Sequence, residues 1–347
     1  MTAKVLNIIK ILQPVVIMVV VQISLAGVNI LSKLASIDGM SSSILVAYRL
    51  LFAAASTVPL AFYMDRTIKP RPMLTWTVIG QAFLCGLLGG SLLLNMYMQS
   101  LVLTSVTFVA AMSNLLPVIT FILAICFRLE KVLLTKAPGS MKIVGTILGI
   151  GGAMLMTFYK GIEIKLWSTN IQLYAHESTS TNKQDRVLGT LIALGSCLSF
   201  ATWLIVQAKL SKIYPNPYST TAMMNVMGSL QAILFALFAD HDWQHWKLGW
   251  DIRLVTVSVS GMIGSGLMVA LMAWCNRTKG PLFVSIFSPV CLVVVTLVGT
   301  LILGDKLYLG SVLGSIVIVL GLYAVVWAKS KEKESIQCIE EKEQGIV

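Results

Sequence analysis

The sequence predicts an all-α polytopic membrane protein, with ten transmembrane helices arranged as two five-helix repeats inverted with respect to each other. Three observations lead there: a charged fraction half that of soluble chains, ten apolar runs of membrane-crossing length, and an internal repeat whose unit holds an odd number of helices. Of 347 residues, 56% are hydrophobic and 12% are charged, and the mean hydropathy is +0.84. A soluble domain carries about 25% charged residues. Crossing a hydrocarbon core takes about 20 apolar residues. The runs have that length: 13–32, 43–64, 75–99, 106–127, 141–159, 188–207, 219–238, 254–274, 282–303 and 308–328. In lipid the backbone must bond to itself, so each run is expected to be helical. The first follows Lys4 and Lys10 and is too long for the apolar core of a cleaved signal peptide, so it reads as the first helix.

The connections carry the charge. With the amino terminus inside, 17 of the Lys and Arg residues fall on the cytosolic side and 8 on the other. That bias places both termini in the cytosol. The net charge of +11 is scattered between apolar runs, so it reads as a topology signal and not as a nucleic-acid surface. Of the six cysteines, five lie in or at the ends of apolar runs and Cys338 lies in the tail, which gives no disulfide framework. Metal-ligand spacing is absent, and no cofactor is implied.

The repeat is read at a shift of 175 residues. It pairs the run from Gly86 to Ser91 with that from Gly261 to Gly266, 108–113 with 283–288, and Glu130-Lys131 with Asp305-Lys306. After a change of loop length, Gly145 and Gly152 match Gly314 and Gly321; near the start, Lys33-Leu34 and Ile37 match Lys209-Leu210 and Ile213. The expected units are 13–160 and 188–329, joined by a polar outer linker at 161–187 and followed by a charged cytosolic tail at 330–347, expected to be frayed. Five helices per unit force the second to enter the membrane from the opposite side. Inverted repeats of this kind build secondary transporters, with the substrate near the midplane between the halves.

The segment from Thr104 to Pro117, and the run from Leu307 to Gly314 following Gly304-Asp305-Lys306, resemble the fourth and last helices of plant nodulin-like proteins. Those belong to the EamA-type drug/metabolite transporter superfamily and include the amino-acid facilitators called UMAMIT. The resemblance spans about residues 13–330. It implies two EamA repeats, movement of amino acids, or of auxin-like molecules in some members, and a plasma or vacuolar membrane location, the plasma membrane being preferred.

Of fifteen acidic residues, none lies in the middle of a run. Proton-driven carriers relay protons through intramembrane carboxylates or histidines, so the pattern favours a facilitator over a proton-coupled carrier; Glu130 or Asp305 at helix ends is the alternative coupling site. Arg49 is the one charge within a helix, roughly 10 Å from its outer end at 1.5 Å per residue. It is a fork for a substrate carboxylate or an anchor bonded to helix-end carbonyls. Polar stripes at helical spacing must face protein or water. They are Gln22, Ala26, Asn29 and Lys33; then Ser91, Asn95 and Gln99; then Ser196, Ser199, Trp203 and Gln207. Asn114 and Asn225 add isolated amides. The stripes either line a cavity, with Trp203 as its apolar wall, or bond helix to helix. Pro117 and Pro289 are expected to kink helices four and nine as gate hinges or as fixed bends.

Small faces at Gly145, Gly149 and Gly152 and at Gly310, Gly314 and Gly321 suit close helix approach within the chain, or a homodimer seam. The triplet starting at Asn276 is placed inside and discounted as a glycan acceptor. The partners expected are therefore a small-molecule substrate and the lipid bilayer. An enzyme needs a nucleophile with a base, or a metal set, which no helix carries. A receptor would share the cavity without moving its ligand, and the inverted symmetry favours transport.

Overall fold

A computed structural model describes residues 2–65, 75–103, 112–113, 115–127, 129, 137–159, 161–164, 183–214, 216–242, 244–291, 293–294 and 307–343. Among these described residues, ten helical units follow the order of the apolar runs. They are α1 (Thr2–Ile37), α2 (Ser42–Asp65), α3 (Trp76–Gly86, Leu87–Ser91 and Leu92–Leu103), α4 (Leu116–Cys126) and α5 (Ala137–Phe158). The second half holds α6 (Lys183–Ile213), α7 (Pro217–Ala239), α8 (Ile252–Val259, Ser260–Met268 and Val269–Lys279), α9 (Pro281–Ser285) and α10 (Leu309–Glu343). Among the described residues, six stretches are long and apolar enough to cross a membrane: Leu12–Ser32, Ser42–Met64, Trp76–Ser100, Val187–Ile213, Pro217–Ala239 and Ile252–Lys279. Shorter apolar helices at Leu116–Cys126, Ile143–Gly152, Pro281–Cys291 and Val312–Val325 stand where the remaining four are expected.

The bundle is apolar on its surface as well as in its core, unlike a soluble protein. On α1, Leu12, Val16, Val20 and Ile23 are exposed at helical spacing, whereas Met18, Val21, Gln22 and Ala26 are buried. A continuous exposed apolar stripe is costly in water and favourable in lipid.

Equivalent helices pair across the two halves. α2 packs on α7, and α5 on α10; α3 packs on α7 and α6, as α8 packs on α2 and α1. The α5–α10 contact fixes the relative direction of the halves. A Cβ on Gly145 would lie 2.7 Å from Gly321 O, and one on Gly152 would lie 2.8 Å from Gly314 O. Numbers rise along α5 as they fall along α10, so two repeat-equivalent helices run antiparallel. Their glycines serve close packing inside the chain.

The tail and the two prolines have physical explanations. The 330–347 tail, expected to be frayed, continues α10 as helix to Glu343. Its Lys and Glu residues are good helix formers, and extending an existing helix avoids the cost of nucleation. Pro117 stands at the first turn of α4, where a missing N–H leaves no bond unmade; residues 112–113 just ahead of it are also helical. Near Pro289 the helix is interrupted at Ile286–Phe287, where Phe287 N donates to Val284 O and Val290 N to Phe287 O, both three residues back. That is where a proline displaces the carbonyl one turn upstream. A two-residue bridge, β1 (Glu163–Ile164) with β2 (Leu307–Tyr308), ties the end of the first half to the start of α10.

At the end of the bundle expected outside, the α7–α8 connection folds over the α1–α2 turn. Arg253 Nε donates to Asp38 Oδ2 at 2.6 Å, and its Nη2 bonds Asp38 O. Tyr48 Oη donates to Trp246 O at 2.7 Å. His245 Nδ1 lies 3.0 Å from Asp240 Oδ2. That hydrogen bond, aided by one from Ser41, holds the Asp240 carboxyl below its ordinary range, partial burial opposing the shift.

Candidate central binding site

Both third helices of the repeat, α3 and α8, change to π-helix in mid-span, at Leu87–Ser91 and Ser260–Met268. These are the glycine-rich runs that the repeat aligns. A π segment widens the helix, frees it from the regular ladder, and recurs at functional sites. Here each lies against the second helix of the other half, and the glycines permit the approach. A Cβ on Gly86 would lie 2.7 Å from Gly228 N of α7, and one on Gly261 would lie 2.5 Å from Arg49 O of α2.

A buried polar cluster is built on this crossing. Arg49, 6% exposed, donates from Nε to Ser265 Oγ at 2.8 Å. Asn225, fully buried, donates from Nδ2 to Ser265 O at 3.1 Å and to Thr57 Oγ1 at 3.4 Å. Thr57 Oγ1 donates in turn to Ala53 O at 2.7 Å. Gly264 adjoins the guanidinium and packs on Val28, whose Cγ2 would lie 3.1 Å from a Cβ there. Tyr97, on α3, lies within electrostatic reach of Arg49, Cys197 and Cys291.

Two features of the cluster suit a ligand that carries both an anion and a donor. Among the described residues no carboxylate pairs with Arg49, whose Nη groups carry no hydrogen bond. The Oδ1 of Asn225 is buried with no donor. An isolated buried charge costs several kcal/mol, and a planar guanidinium offers two parallel donors of the geometry a carboxylate accepts. The cluster can therefore hold a carboxylate on Arg49 and a donor on Asn225.

Arg49 and Asn225 are thus brought together, and the other sequence candidates distribute around them. Gln22 is buried; Asn29 is half-buried and donates to Cys291 Sγ at 3.9 Å. Asn95 bonds its own helix at Ser91 O, 2.8 Å away. Gln99 is exposed and stands apart from the cluster. Trp203 is buried, with Nε1 3.2 Å from Met224 Sδ. Gln207 is fully buried with both amide atoms unpartnered. Pro117 and Pro289 are buried at the helix start and helix break already described. Asn114 lies outside the described residues, as do Glu130 and Asp305. Asn276, in the discounted glycan triplet, is buried and donates to Leu204 O at 2.8 Å. Sequence reading missed Ser265, Thr57 and Tyr97. The repeat alignment held a signal for Ser265, since it breaks the glycine pattern that Gly90 keeps.

A model of the EamA-like transporter family matches residues 12–158 and again 187–327. The chain belongs to the EamA-like transporter family. Two WAT1-related proteins of Arabidopsis thaliana are each 46% identical to it, over 93% and 92% of this chain and 92% and 90% of their own lengths. An auxin-induced protein of Pinus taeda is 35% identical over 91% of this chain and 78% of its own. A solved crystal structure shares the fold with a TM-score of 0.66 at 12% identity, covering 93% of this chain and 98% of that one. The protein is a multi-pass membrane transporter of the plant WAT1-like EamA type and not an enzyme. Its partners are a small-molecule substrate and the lipid bilayer.

Proposed function

We propose that this transporter is a facilitator for small carboxylate metabolites, amino acids in the first instance, working by alternating access around Arg49. The observation that carries the reading is a guanidinium buried in mid-bundle, fixed at Nε by Ser265 and left without a carboxylate partner among the described residues. A substrate carboxylate supplies the compensating charge, and Asn225 Oδ1 accepts from the substrate ammonium. The lack of any acidic residue in mid-span of the sequence supports movement down the substrate's own gradient. The segments 13–160 and 188–329 serve as the two moving halves, with 161–187 outside and 330–347 in the cytosol, following the bias of basic residues. The plasma membrane is the favoured location.

The test is efflux of a labelled panel of amino acids and organic acids from cells producing the protein or its Arg49→Ala variant. Saturable efflux of amino acids that falls in the variant is expected. Efflux equal to that of cells lacking the protein, at matched surface abundance, overturns the proposal.

A further inference from the structure

The two halves present one backbone and two chemistries at their crossing. Gly86 meets Met224 O, Met227 Cβ and Gly228 N of α7; Gly261 meets Arg49 O, Phe52 Cβ and Ala53 N of α2. One turn further on, Gly89 faces the indole of Trp203 and Gly264 faces Val28. A single shift of 175 residues carries each member of one set onto its counterpart.

The same shift pairs Arg49 with Met224, Asn225 with Leu50, and Ser265 with Gly90. It also pairs Thr57 with Ala232, and both are buried. Every polar member of the central cluster therefore has an apolar counterpart in the equivalent lobe. The lobes adjoin, because Arg49 precedes Leu50 and Met224 precedes Asn225 in their helices. Leu50 reaches the π segment of α3, where a Cβ on Gly90 would lie 3.6 Å from Leu50 Cδ1. Met224 in turn touches Trp203.

We infer that the central site selects a carboxylate carried on a bulky apolar body, with the head held in the Arg49 lobe and the body received by Leu50, Met224 and Trp203. This rests on the reading of Arg49 as the carboxylate site. A polar body placed in the second lobe loses water and finds no side-chain partner among those counterparts, a cost an apolar body escapes. A body that is too small leaves the lobe unfilled. The lobe is closed in the present conformation, with Met224 2% and Leu50 1% exposed. The flexible, unbranched thioether of Met224 and the bare Cα of Gly90 are the groups that can yield to a body entering.

The experiment uses the full chain in proteoliposomes. Counterflow of labelled leucine is competed with phenylalanine, tryptophan, indole-3-acetate, glycine, glutamine and glutamate, and the same compounds are scored for thermal stabilisation of the purified protein. Apolar-bodied carboxylates are expected to compete at least tenfold better than glycine or glutamine. The double variant Leu50→Asn with Met224→Gln, which gives the lobe amides, is expected to reduce that ratio at least tenfold, whereas Met224→Leu keeps it. Should the double variant fail to fold, Met224→Gln alone carries the same comparison. Equal competition by glycine and phenylalanine in the wild type overturns the inference, as does a ratio untouched by the variants, or neither counterflow nor stabilisation by any apolar-bodied carboxylate. Arg49→Gln separates the two readings. If it leaves carboxylate competition intact, the head site is wrong, while the apolar-to-polar ratio still judges the lobe.

Discussion

Changing Arg49 to Gln removes the buried cation while keeping a side chain long enough to reach Ser265. The two free Nη groups are the donors expected to bind a substrate carboxylate. Hydrogen bonds to charged groups are worth about 1.5–3 kcal/mol each. Two of them, less the cost of ordering the substrate, give about 3 kcal/mol, which is roughly a hundredfold in affinity at 1.4 kcal/mol per tenfold. Arg49→Lys keeps the charge but loses the fork, so about tenfold is expected. Stability should move the other way. An unpaired buried charge costs several kcal/mol, so Arg49→Gln should unfold at a temperature equal to or above that of the wild type. The assay is substrate affinity by counterflow in proteoliposomes, paired with thermal unfolding in detergent. Affinity for carboxylates within about threefold of wild type, or a variant that unfolds well below it, would show that Arg49 is a structural anchor.

Other expectations follow from packing and charge. Gly152→Ala puts a Cβ 2.8 Å from Gly314 O and should destabilise by about 1–3 kcal/mol; Gly149→Ala meets nothing within 4 Å and should be neutral or stabilising by up to about 1 kcal/mol, both read by thermal unfolding. The Arg253–Asp38 pair is partly exposed, at 28% and 47%, so Asp38→Asn should change stability by less than about 1 kcal/mol in the same assay. The lowered pKa of Asp240 stabilises the folded state above the ordinary carboxylate range and ceases to do so as pH falls through the folded value. The gap in unfolding temperature between wild type and Asp240→Asn should therefore close on acidification below about pH 4, and a gap that persists there would contradict the assignment.

The helices were legible because lipid demands long apolar runs and self-bonded backbone, and the inversion was legible because five is odd. Arg49 stood out as the one charge in a span, since composition alone makes such a residue conspicuous. Of its neighbours in the cluster, Asn225 stood out only as an isolated amide and Ser265 not at all. Ser265 and Asn225 lie in the other half of the chain, and only the crossing of α2, α7 and α8 brings them to Arg49. The π segments were hidden for a similar reason: the glycine pattern marks close approach but does not specify a wider helical turn. The repeat register of the first helices was misjudged by one residue. Matching Lys33 to Lys209 needs a shift of 176, whereas the packing of Val28 and Trp203 on equivalent glycines needs 175. A match of residue identity alone is a weaker guide to register than a contact with a glycine. Gln99 fits the stripe that contains Ser91 and Asn95 by spacing alone, yet it is exposed, since 3.6 residues per turn carry position i+8 about 80° round from position i.

The most direct measurement is exchange of labelled leucine across proteoliposomes holding the same pH and the same salts on both sides. A wet, Arg49-centred site reached from each side in turn requires saturable exchange that speeds up when unlabelled leucine is supplied on the far side. Linear, unsaturable leakage, or movement that appears only when a proton gradient is imposed, would contradict it.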